Sequence, residues 1–195
     1  MPGAADRLPT GRLSAVLVRE LRRHLAAGGV VAYPTESCYG LGCDPGSRAG
    51  VSRVRALKGR SGAKGLILIA SDFRQLAPFV RAPTREQRRR LAAAWPGPVT
   101  FVMKASASAP AWITAADSTV AVRVTAHPGA AALCRALGLA LVSTSANRAG
   151  ARPARSYAEC LRRFGAGARV LPGRVGRRRR PSTIIELETG RILRP

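Results

Sequence analysis

Acidic residues are scarce in this chain of 195 residues, which has 10 Asp and Glu against 33 Lys and Arg and a net charge of +23. With only ten carboxylates, and no two of them near one motif, the sequence argues against a dedicated metal cage. Lysine is scarce as well, because 30 of the 33 cations are Arg. A positive field of this size attracts nucleotides, RNA or DNA. A genome-wide compositional bias toward Arg produces the same excess, so charge alone leaves both interpretations open.

Long apolar runs are also missing from the chain. The longest, at 66–70 and 139–142, have the length of a strand and fall far below the roughly 20 residues that span a bilayer. Residues 1–11 lack the apolar segment that precedes the cleavage site of a secretory signal. We therefore expect a cytoplasmic protein without a membrane segment.

Closely spaced cysteines and linker sequences are absent too. The four Cys residues include no Cys-x-x-Cys pair, and His24 and His127 lie far apart, so neither a zinc site nor a disulfide framework is indicated. No Pro/Gly/Ser-rich linker, low-complexity segment or internal repeat divides the chain. Its length suffices for one domain with a substantial core. We expect a loose tail at 1–10 and a single domain at 11–195.

Among the features that are present, a polar segment after the first apolar strand is the most informative. The β-branched run at 30–33 leads into Pro34, which has no donor for a sheet ladder and should end the strand. Gly40 and Gly42 let the backbone approach a ligand closely. With Gly46 they resemble a dinucleotide fingerprint but do not match it, since the third glycine comes one position late and Pro45 lies where a helix should begin. The sequence predicts a binding edge formed by the hydrogen-bonding side chains Thr35, Glu36, Ser37 and Tyr39.

Three cations follow the second predicted helix, which runs from an N-cap at Ser47 to Gly59. They lie immediately before a buried strand and are Lys58, Arg60 and Lys64. Lysine offers phosphate a point charge and arginine offers a planar fork, so the segment is a candidate phosphate clamp. A solvated helix end with favourable dipole charges is the alternative interpretation.

Two further strands carry polar groups. The strand at 119–124 places Thr119, Ala121 and Arg123 on one face. A buried arginine is costly without a partner, so we expect an anionic ligand or a carboxylate beside Arg123. The apolar strand at 139–142 leads into three hydroxyls and an amide, at the strand end where ligands bind in α/β proteins. This segment is Ser143-Thr144-Ser145-Ala146-Asn147.

Positive charge is concentrated toward the end of the chain. Residues 148–195 contain 13 Arg against 3 acids. Four of these Arg residues are consecutive, at 177–180, directly before Pro181-Ser182-Thr183. Alternate side chains of an extended segment point to opposite sides, so at most about half of the four can face a site near Ser182.

Taken in order, these motifs resemble those of the YrdC-like family, the threonylcarbamoyl-AMP synthases. The resemblance runs from about Leu13 to Pro195, and seven motifs in the same order make it specific. They are Tyr33-Pro34-Thr35-Glu36, Lys58-Gly59-Arg60, Lys64-Gly65-Leu66-Ile67, Trp95-Pro96-Gly97-Pro98-Val99-Thr100, Ala121-Val122-Arg123-Val124, Ser143-Thr144-Ser145-Ala146-Asn147 and Pro181-Ser182-Thr183. The family implies an α/β fold in which a single twisted mixed sheet, flanked by helices, surrounds a concave and positively charged site.

The resemblance also implies an enzyme, a nucleotidyltransferase. It would join L-threonine, bicarbonate and ATP into L-threonylcarbamoyladenylate and release pyrophosphate, as the first step of the threonylcarbamoyladenosine modification of tRNA. By resemblance the catalytic residues are Lys58 and Arg60. The threonine-binding residues would be Thr35, Arg123, Ser143 and Ser182. The nucleotide-binding residues would be Lys58, Arg60, Thr119, Ser145 and Asn147.

Cofactor and partners follow from the same resemblance. Mg²⁺ would arrive on ATP and keep most of its waters, and we expect no metal held by the protein itself. The partners would be ATP, threonine, bicarbonate and the proteins that transfer the threonylcarbamoyl group onward. Non-specific contact with tRNA or double-stranded RNA is a further expectation from the charge.

The chain departs from the family pattern at Ser61, where proline often follows the Lys-x-Arg, and at Ala149, where serine commonly precedes the glycine. It also lacks the extra carboxyl-terminal domain of longer members, so we expect a lid to come from elsewhere or from a partner. Two other functions stay open on the sequence alone. One is an RNA-binding or ribosome-maturation factor with a vestigial nucleotide pocket, and the other is a generic nucleotide-binding regulator.

Overall fold

Capping side chains determine where the helices begin. The computed structural model describes residues 13–59 and 66–195. Within them, five α-helices each follow a residue whose side chain accepts a backbone N–H of the first turn. These caps are Ser14, Ser47, Thr84, His127 and Ser156. The helices are α1 (Ala15–Ala26), α2 (Arg48–Lys58), α3 (Arg85–Ala94), α4 (Pro128–Leu137) and α5 (Tyr157–Phe164).

The second helix has the bounds that the sequence predicts. It starts after Ser47 and ends at Gly59, which adopts the left-handed conformation with φ 61°. The predicted tail at 1–10 lies outside the described residues, as does the segment 60–65 with Arg60, Ser61 and Lys64. No helix within the described ranges has the length and apolar character needed to cross a membrane.

The strands of the described residues form one mixed sheet. They are β1 (Val31–Pro34), β2 (Tyr39–Cys43), β3 (Ile67–Ala70), β4 (Val99–Lys104), β5 (Thr119–Val124), β6 (Leu141–Ser145), β7 (Arg169–Val170), β8 (Thr183–Glu186) and β9 (Ile192–Arg194). Their order across the sheet is β7-β1-β2-β6-β3-β5-β4-β8-β9. Three pairs are parallel, namely β1 with β7, β3 with β5 and β4 with β8, and the others are antiparallel.

Alternation of side chains along the strands divides the core into two clusters. Ala32 and Val142 lie on the face that packs against α2 and α5, with Val51 and Phe164 in the same cluster. Val31, Ile69 and Leu141 lie on the opposite face, in a cluster with Leu21 and Leu25 of α1 and with Leu133 and Leu137 of α4. Helices therefore bury apolar residues on both faces of the sheet.

Polar residues continue the face that α1 and α4 cover. Ser143 and Ser145 follow Leu141 by two and four positions on β6, so they point to the same side. Arg123 on β5 pairs in register with Ile69 and shares that side as well. One face of the sheet is thus apolar beneath the helices and polar beyond them, and the polar part is the candidate site.

Candidate active site

Arg123 is the charged side chain at the centre of the polar face. It is only 6% exposed. Its Nη2 lies 3.2 Å from Oε2 of Glu36, in the loop between β1 and β2. A carboxylate, one of the two partners predicted for Arg123, is therefore present. Nε of Arg123 has no hydrogen-bond partner among the described residues, which leaves one guanidinium donor unused.

Glu36 is oriented by a second set of contacts. Its Oε1 accepts the hydroxyl of Thr125 at 2.7 Å and the backbone N–H of Ala126 at 3.2 Å. Burial raises the pKa of Glu36, but the Arg123 guanidinium and the Thr125 hydrogen bond outweigh burial and lower the pKa below its ordinary value. The carboxylate is therefore ionised at neutral pH, and Glu36 and Arg123 form a mostly buried ion pair.

Thr35 and Ser143 approach each other across Gly40. A Cβ at position 40 would lie 3.2 Å from Oγ of Ser143 and 3.3 Å from Cγ2 of Thr35, tighter than ordinary van der Waals contact. Both side chains are buried. The Thr35 hydroxyl donates to the carbonyl of Cys38 at 2.7 Å, which closes the turn and leaves its oxygen as an acceptor. Glycine at 40 thus leaves the space that two of the predicted threonine-binding residues occupy.

Ser182 lies just before β8 and is linked to two neighbouring strands. Its hydroxyl is 2.9 Å from the hydroxyl of Thr100 on β4. Arg194 on β9 donates its Nη2 to the Ser182 carbonyl at 2.8 Å. Burial and, second, the positive charge of Arg123 lower the pKa of Arg194. Two arginines therefore share this end of the site.

Lys58, the last residue of α2, organises the other end. It is 2% exposed. Its Nζ donates to the carbonyl of Ser145 at 2.5 Å and to the carbonyl and Oδ1 of Asn147 at 3.0 and 3.1 Å. The Ser145 hydroxyl donates to the same Oδ1 at 2.5 Å. The segment after β6 is folded around the ammonium group, so the interpretation of Lys58 as a solvated helix end is wrong.

Thr119 lies at the opposite end of β5 from Arg123. Ser143 of β6 pairs with Ile67 of β3, and Leu68 of β3 pairs with Val122 of β5. When this register is continued, Thr119 lies in the same row of the sheet as Ser145, two strands away. Its hydroxyl donates to Oδ1 of Asp117 at 2.6 Å. Thr119 is thus on the Lys58 side of the polar face, and Arg60 lies outside the described residues.

The segment that leads to Ser182 crosses directly over the loop after β1. The backbone N–H of Gly176 donates to the Thr35 carbonyl at 2.9 Å, and that of Arg178 donates to the Glu36 carbonyl at 3.1 Å. A Cβ at position 176 would lie 2.6 Å from the Glu36 carbonyl oxygen, so the crossing requires glycine there. Residues 174–181, which we call the crossing segment, are therefore held against the backbone of the loop that carries Glu36.

Tyr39 is not on the predicted binding edge. It begins β2, is fully buried, and its hydroxyl donates to the Gly173 carbonyl at 2.7 Å. After the short turn that follows β1, the chain re-enters the sheet at Tyr39, because β2 pairs with both β1 and β6. Tyr39 thus supports the start of the crossing segment from within the core.

His127 supports the crossing segment from the other side. Its Nδ1 accepts the N–H of Ala130 at 3.2 Å, so the proton is on Nε2, which donates to the Arg174 carbonyl at 3.1 Å. Burial lowers the pKa of His127. A neutral imidazole therefore joins the cap of α4 to the crossing segment.

The four consecutive arginines differ in exposure. Arg177, Arg179 and Arg180 are exposed, and Arg178 is half-buried. Nε of Arg178 donates to the carbonyl of Arg180 at 3.2 Å. Arg178 therefore stabilises the crossing segment, while the other three present charge to solvent.

Metal ligation gains no support from the described side chains, and three of the four thiols are buried. Among residues 13–59 and 66–195, no group of three or more His, Cys, Asp or Glu is placed to hold a metal ion. Cys43, Cys134 and Cys160 are buried, and burial raises the pKa of each thiol to about 12. These three thiols are protonated at neutral pH.

The fold and the site define an α/β protein with a nine-stranded mixed sheet in its described residues, a buried ion pair on the polar face and a buried lysine at the end of β6. The family model Sua5/YciO/YrdC, described as telomere recombination, matches residues 23–195. The chain belongs to this family, and the predicted resemblance is confirmed.

Individual relatives match over most of the chain. A threonylcarbamoyl-AMP synthase of Thiobacillus denitrificans is 58% identical over 174 residues, which are 89% of this chain and 93% of the relative. A threonylcarbamoyl-AMP synthase of Chromobacterium violaceum is 50% identical over 192 residues, 98% of this chain and 97% of the relative. The crystal structure of P. abyssi Sua5 complexed with L-threonine matches with a TM-score of 0.85 and 31% identity over 95% of this chain, which spans 55% of that protein. The predicted fold class, an α/β domain with a twisted mixed sheet flanked by helices, is confirmed.

Proposed function

We propose that this chain is an L-threonylcarbamoyladenylate synthase, a nucleotidyltransferase acting in the first step of the threonylcarbamoyladenosine modification of tRNA. The observation that supports this most is the presence of two buried cations in the candidate site: Arg123 beside hydroxyl side chains on the polar face, and Lys58 bonded within the segment 145–147 at the end of β6. The names of the relatives point to the same reaction. The threonine-bound P. abyssi Sua5 adds threonine as a ligand of this fold.

The threonine end of the proposed site comprises Thr35, Arg123, Ser143 and Ser182. Arg123 would bind the carboxylate, since a guanidinium offers a carboxylate parallel N–H donors. The hydroxyls of Ser143 and Ser182 can donate to and accept from the threonine hydroxyl. We add Thr100 and Arg194 to this end because they fix Ser182.

The nucleotide end comprises Lys58, Thr119, Ser145 and Asn147, and we retain Arg60 as a proposed ligand from the sequence. Positive charge at this end would stabilise the negative charge that develops on the phosphates during adenylyl transfer. We keep the expectation that Mg²⁺ enters on the triphosphate and that the residues described here orient rather than coordinate it.

The chemistry requires no protein nucleophile. The amine of threonine and bicarbonate condense to a carbamate with loss of water. A carbamate oxygen then attacks the α-phosphorus of ATP, the bond to the β-phosphate oxygen breaks, and pyrophosphate leaves. The protein contributes by holding the carbamate and the α-phosphate in line. Lys58 and Arg60 are the proposed catalytic residues.

Incubation of the chain with ATP, Mg²⁺, bicarbonate and each of the common amino acids tests the proposal. We expect pyrophosphate release with threonine and not with the others. Release with no amino acid, or equal release with several, would contradict the assignment. Cytoplasmic location, the tail at 1–10, the domain at 11–195, non-specific RNA contact and threonylcarbamoyl-transfer partners stay predictions.

A further inference from the structure

Hydrogen bonding is incomplete within the Glu36–Arg123 ion pair. Among the described residues, four buried side-chain N or O atoms lack a hydrogen-bond partner, and two of them belong to this pair. They are Oε2 of Glu36 and Nε of Arg123. The contact of 3.2 Å between Nη2 and Oε2 brings the charges together without completing these bonds. One acceptor and one donor are thus left unused side by side.

The rest of the pair is well satisfied. Oε1 of Glu36 has two donors, the Thr125 hydroxyl and the Ala126 N–H. The Glu36 carbonyl accepts the N–H of Arg178 in the crossing segment. A buried polar atom without a partner costs about 1–3 kcal/mol. A ligand that offers one acceptor and one donor would therefore gain the most binding free energy at this unused donor and acceptor.

Resting on the function proposed above, we propose that Glu36 binds the α-ammonium group of the amino-acid substrate while Arg123 binds its α-carboxylate. An α-amino acid brings one anionic acceptor and one cationic donor on adjacent carbons. The ion pair and the zwitterion are each net neutral, so their charges complement each other in a site otherwise rich in cations. The unused atoms are buried, so the two side chains separate from each other to admit the amino acid.

Glu36 is the acidic side chain placed for this role. Within residues 13–59 and 66–195, it alone among the acids makes a hydrogen bond or ion pair with the threonine-end residues Thr35, Arg123, Ser143 and Ser182. The cations Arg123 and Arg194 would repel an ammonium group. Glu36 offsets that repulsion, which makes it a residue that selects α-amino acids over acids that lack the amine.

Calorimetry with two ligands tests this assignment. The ligands are L-threonine and (R)-3-hydroxybutyrate, which keeps the carboxylate and the hydroxyl and lacks the amine. In Glu36→Gln we expect threonine to bind about tenfold or more weakly, the loss of one charged hydrogen bond. The same variant should bind 3-hydroxybutyrate as tightly as the wild type or more tightly, because a carboxylate no longer competes for Arg123.

Two further variants complete the design. Thr125→Val removes one donor that orients Glu36 and keeps the negative charge, so we expect a smaller loss for threonine, about two- to fivefold. Glu20→Gln removes a carboxylate paired with Arg169 at 2.7 Å between α1 and β7, and should change neither ligand. If Glu36→Gln does not fold, Thr125→Val tests the assignment instead. Its loss of affinity must then be larger for threonine than for 3-hydroxybutyrate.

The outcomes separate this assignment from the proposed function. A parallel loss for both ligands in Glu36→Gln or Thr125→Val shows a merely structural role and overturns the assignment alone. Unchanged threonine binding in Glu36→Gln overturns it as well. If the wild-type chain binds threonine in neither the presence nor the absence of ATP, the proposed function fails and the assignment fails with it.

Discussion

Lys58 and Arg123 are both buried cations of the candidate site, and the structure holds them differently. Nζ of Lys58 donates to oxygens of both Ser145 and Asn147, within a segment only three residues long, so the ammonium and the segment 145–147 fix each other. Arg123 shares an ion pair in which Nε has no partner among the described residues. The comparison supports a proposed nucleotide end that is formed in advance and a proposed threonine end that must open to bind.

The largest effect is expected at the preformed end. Lys58→Met leaves buried carbonyl oxygens without their donor, so we expect unfolding free energy to fall by about 2–4 kcal/mol. Pyrophosphate release should fall by about 10³-fold or more, because the variant loses a cation that we propose to be catalytic. Urea unfolding and a pyrophosphate assay at a temperature where the variant stays folded measure the two effects.

A matched control for Lys58→Met is Arg89→Met on the exposed face of α3. It should leave the unfolding free energy and the rate of pyrophosphate release unchanged. A Lys58→Met protein with wild-type stability would contradict the account of a preformed end. One with wild-type turnover would remove Lys58 from the proposed chemistry.

Substrate selection should give the next largest effect, at the threonine end. Valine has nearly the shape of threonine but lacks its hydroxyl, and sites built to hydrogen-bond a substrate reject such analogues strongly. We expect kcat/KM for valine to be at least about 10³-fold lower than for threonine. Ser182→Ala should raise KM for threonine about tenfold and change KM for ATP little. Equal changes in both KM values would place Ser182 outside the threonine end.

Acid should weaken the Glu36–Arg123 pair in a defined direction. The pKa of Glu36 is lowered in the folded state, so its contribution to stability is complete above the ordinary glutamate pKa and is lost as pH falls through the folded-state value. At pH 7 we expect Glu36→Gln to unfold with a free energy about 3 kcal/mol below the wild type. The gap should narrow as pH falls below about 4.5.

Urea unfolding of both proteins across this pH range measures the gap. Glu20→Gln serves again as the control, since Glu20 is paired with Arg169 on the surface and should show a much smaller difference at every pH. A gap for Glu36 that widens toward acid would contradict the assignment of an ionised carboxylate.

The smallest effect on catalysis is expected in the crossing segment. Replacing the exposed Arg177, Arg179 and Arg180 together with Gln should leave pyrophosphate release within about twofold of wild type. The same change should weaken tRNA binding and flatten its dependence on salt, because exposed arginines contribute screened and non-specific attraction to phosphates. Arg178→Gln should instead lower activity modestly, since Arg178 is bonded within the segment.

Filter binding of tRNA at several salt concentrations, together with the pyrophosphate assay, separates these outcomes. Loss of RNA binding with full activity in the triple variant supports a surface contact. A large loss of activity in that variant would bring the exposed arginines into the site, and it would weaken the division into two ends.

Local signals in the sequence predict much of this structure. Capping side chains at Ser47 and Thr84 lie where α2 and α3 begin, since an N-cap depends only on neighbouring residues. Side-chain alternation places Arg123 on one face with Thr119, and the cost of burying an unpaired arginine indicates that Arg123 needs a partner. It cannot show that the partner is Glu36, because that contact joins residues far apart in the chain.

Non-local pairing explains what the sequence does not predict. The glycines at 40 and 42 are typical of a turn, yet they lie in β2 because β1 and β6 pair with it on both sides. Tyr39 is buried for the same reason. Arg194 carries no local signal, since it is one of 30 arginines, and only the pairing of β8 with β9 brings it to Ser182.

The identity of the nucleotide product tests the central proposal most directly. Mass spectrometry of a reaction with ATP, threonine and ¹³C-labelled bicarbonate should detect threonylcarbamoyladenylate that carries the heavy carbon, with pyrophosphate formed in equal amount. The labelled product should be absent with valine and in Lys58→Met. Pyrophosphate without the labelled adenylate, or an adenylate of threonine itself without the added carbon, would contradict the proposed reaction.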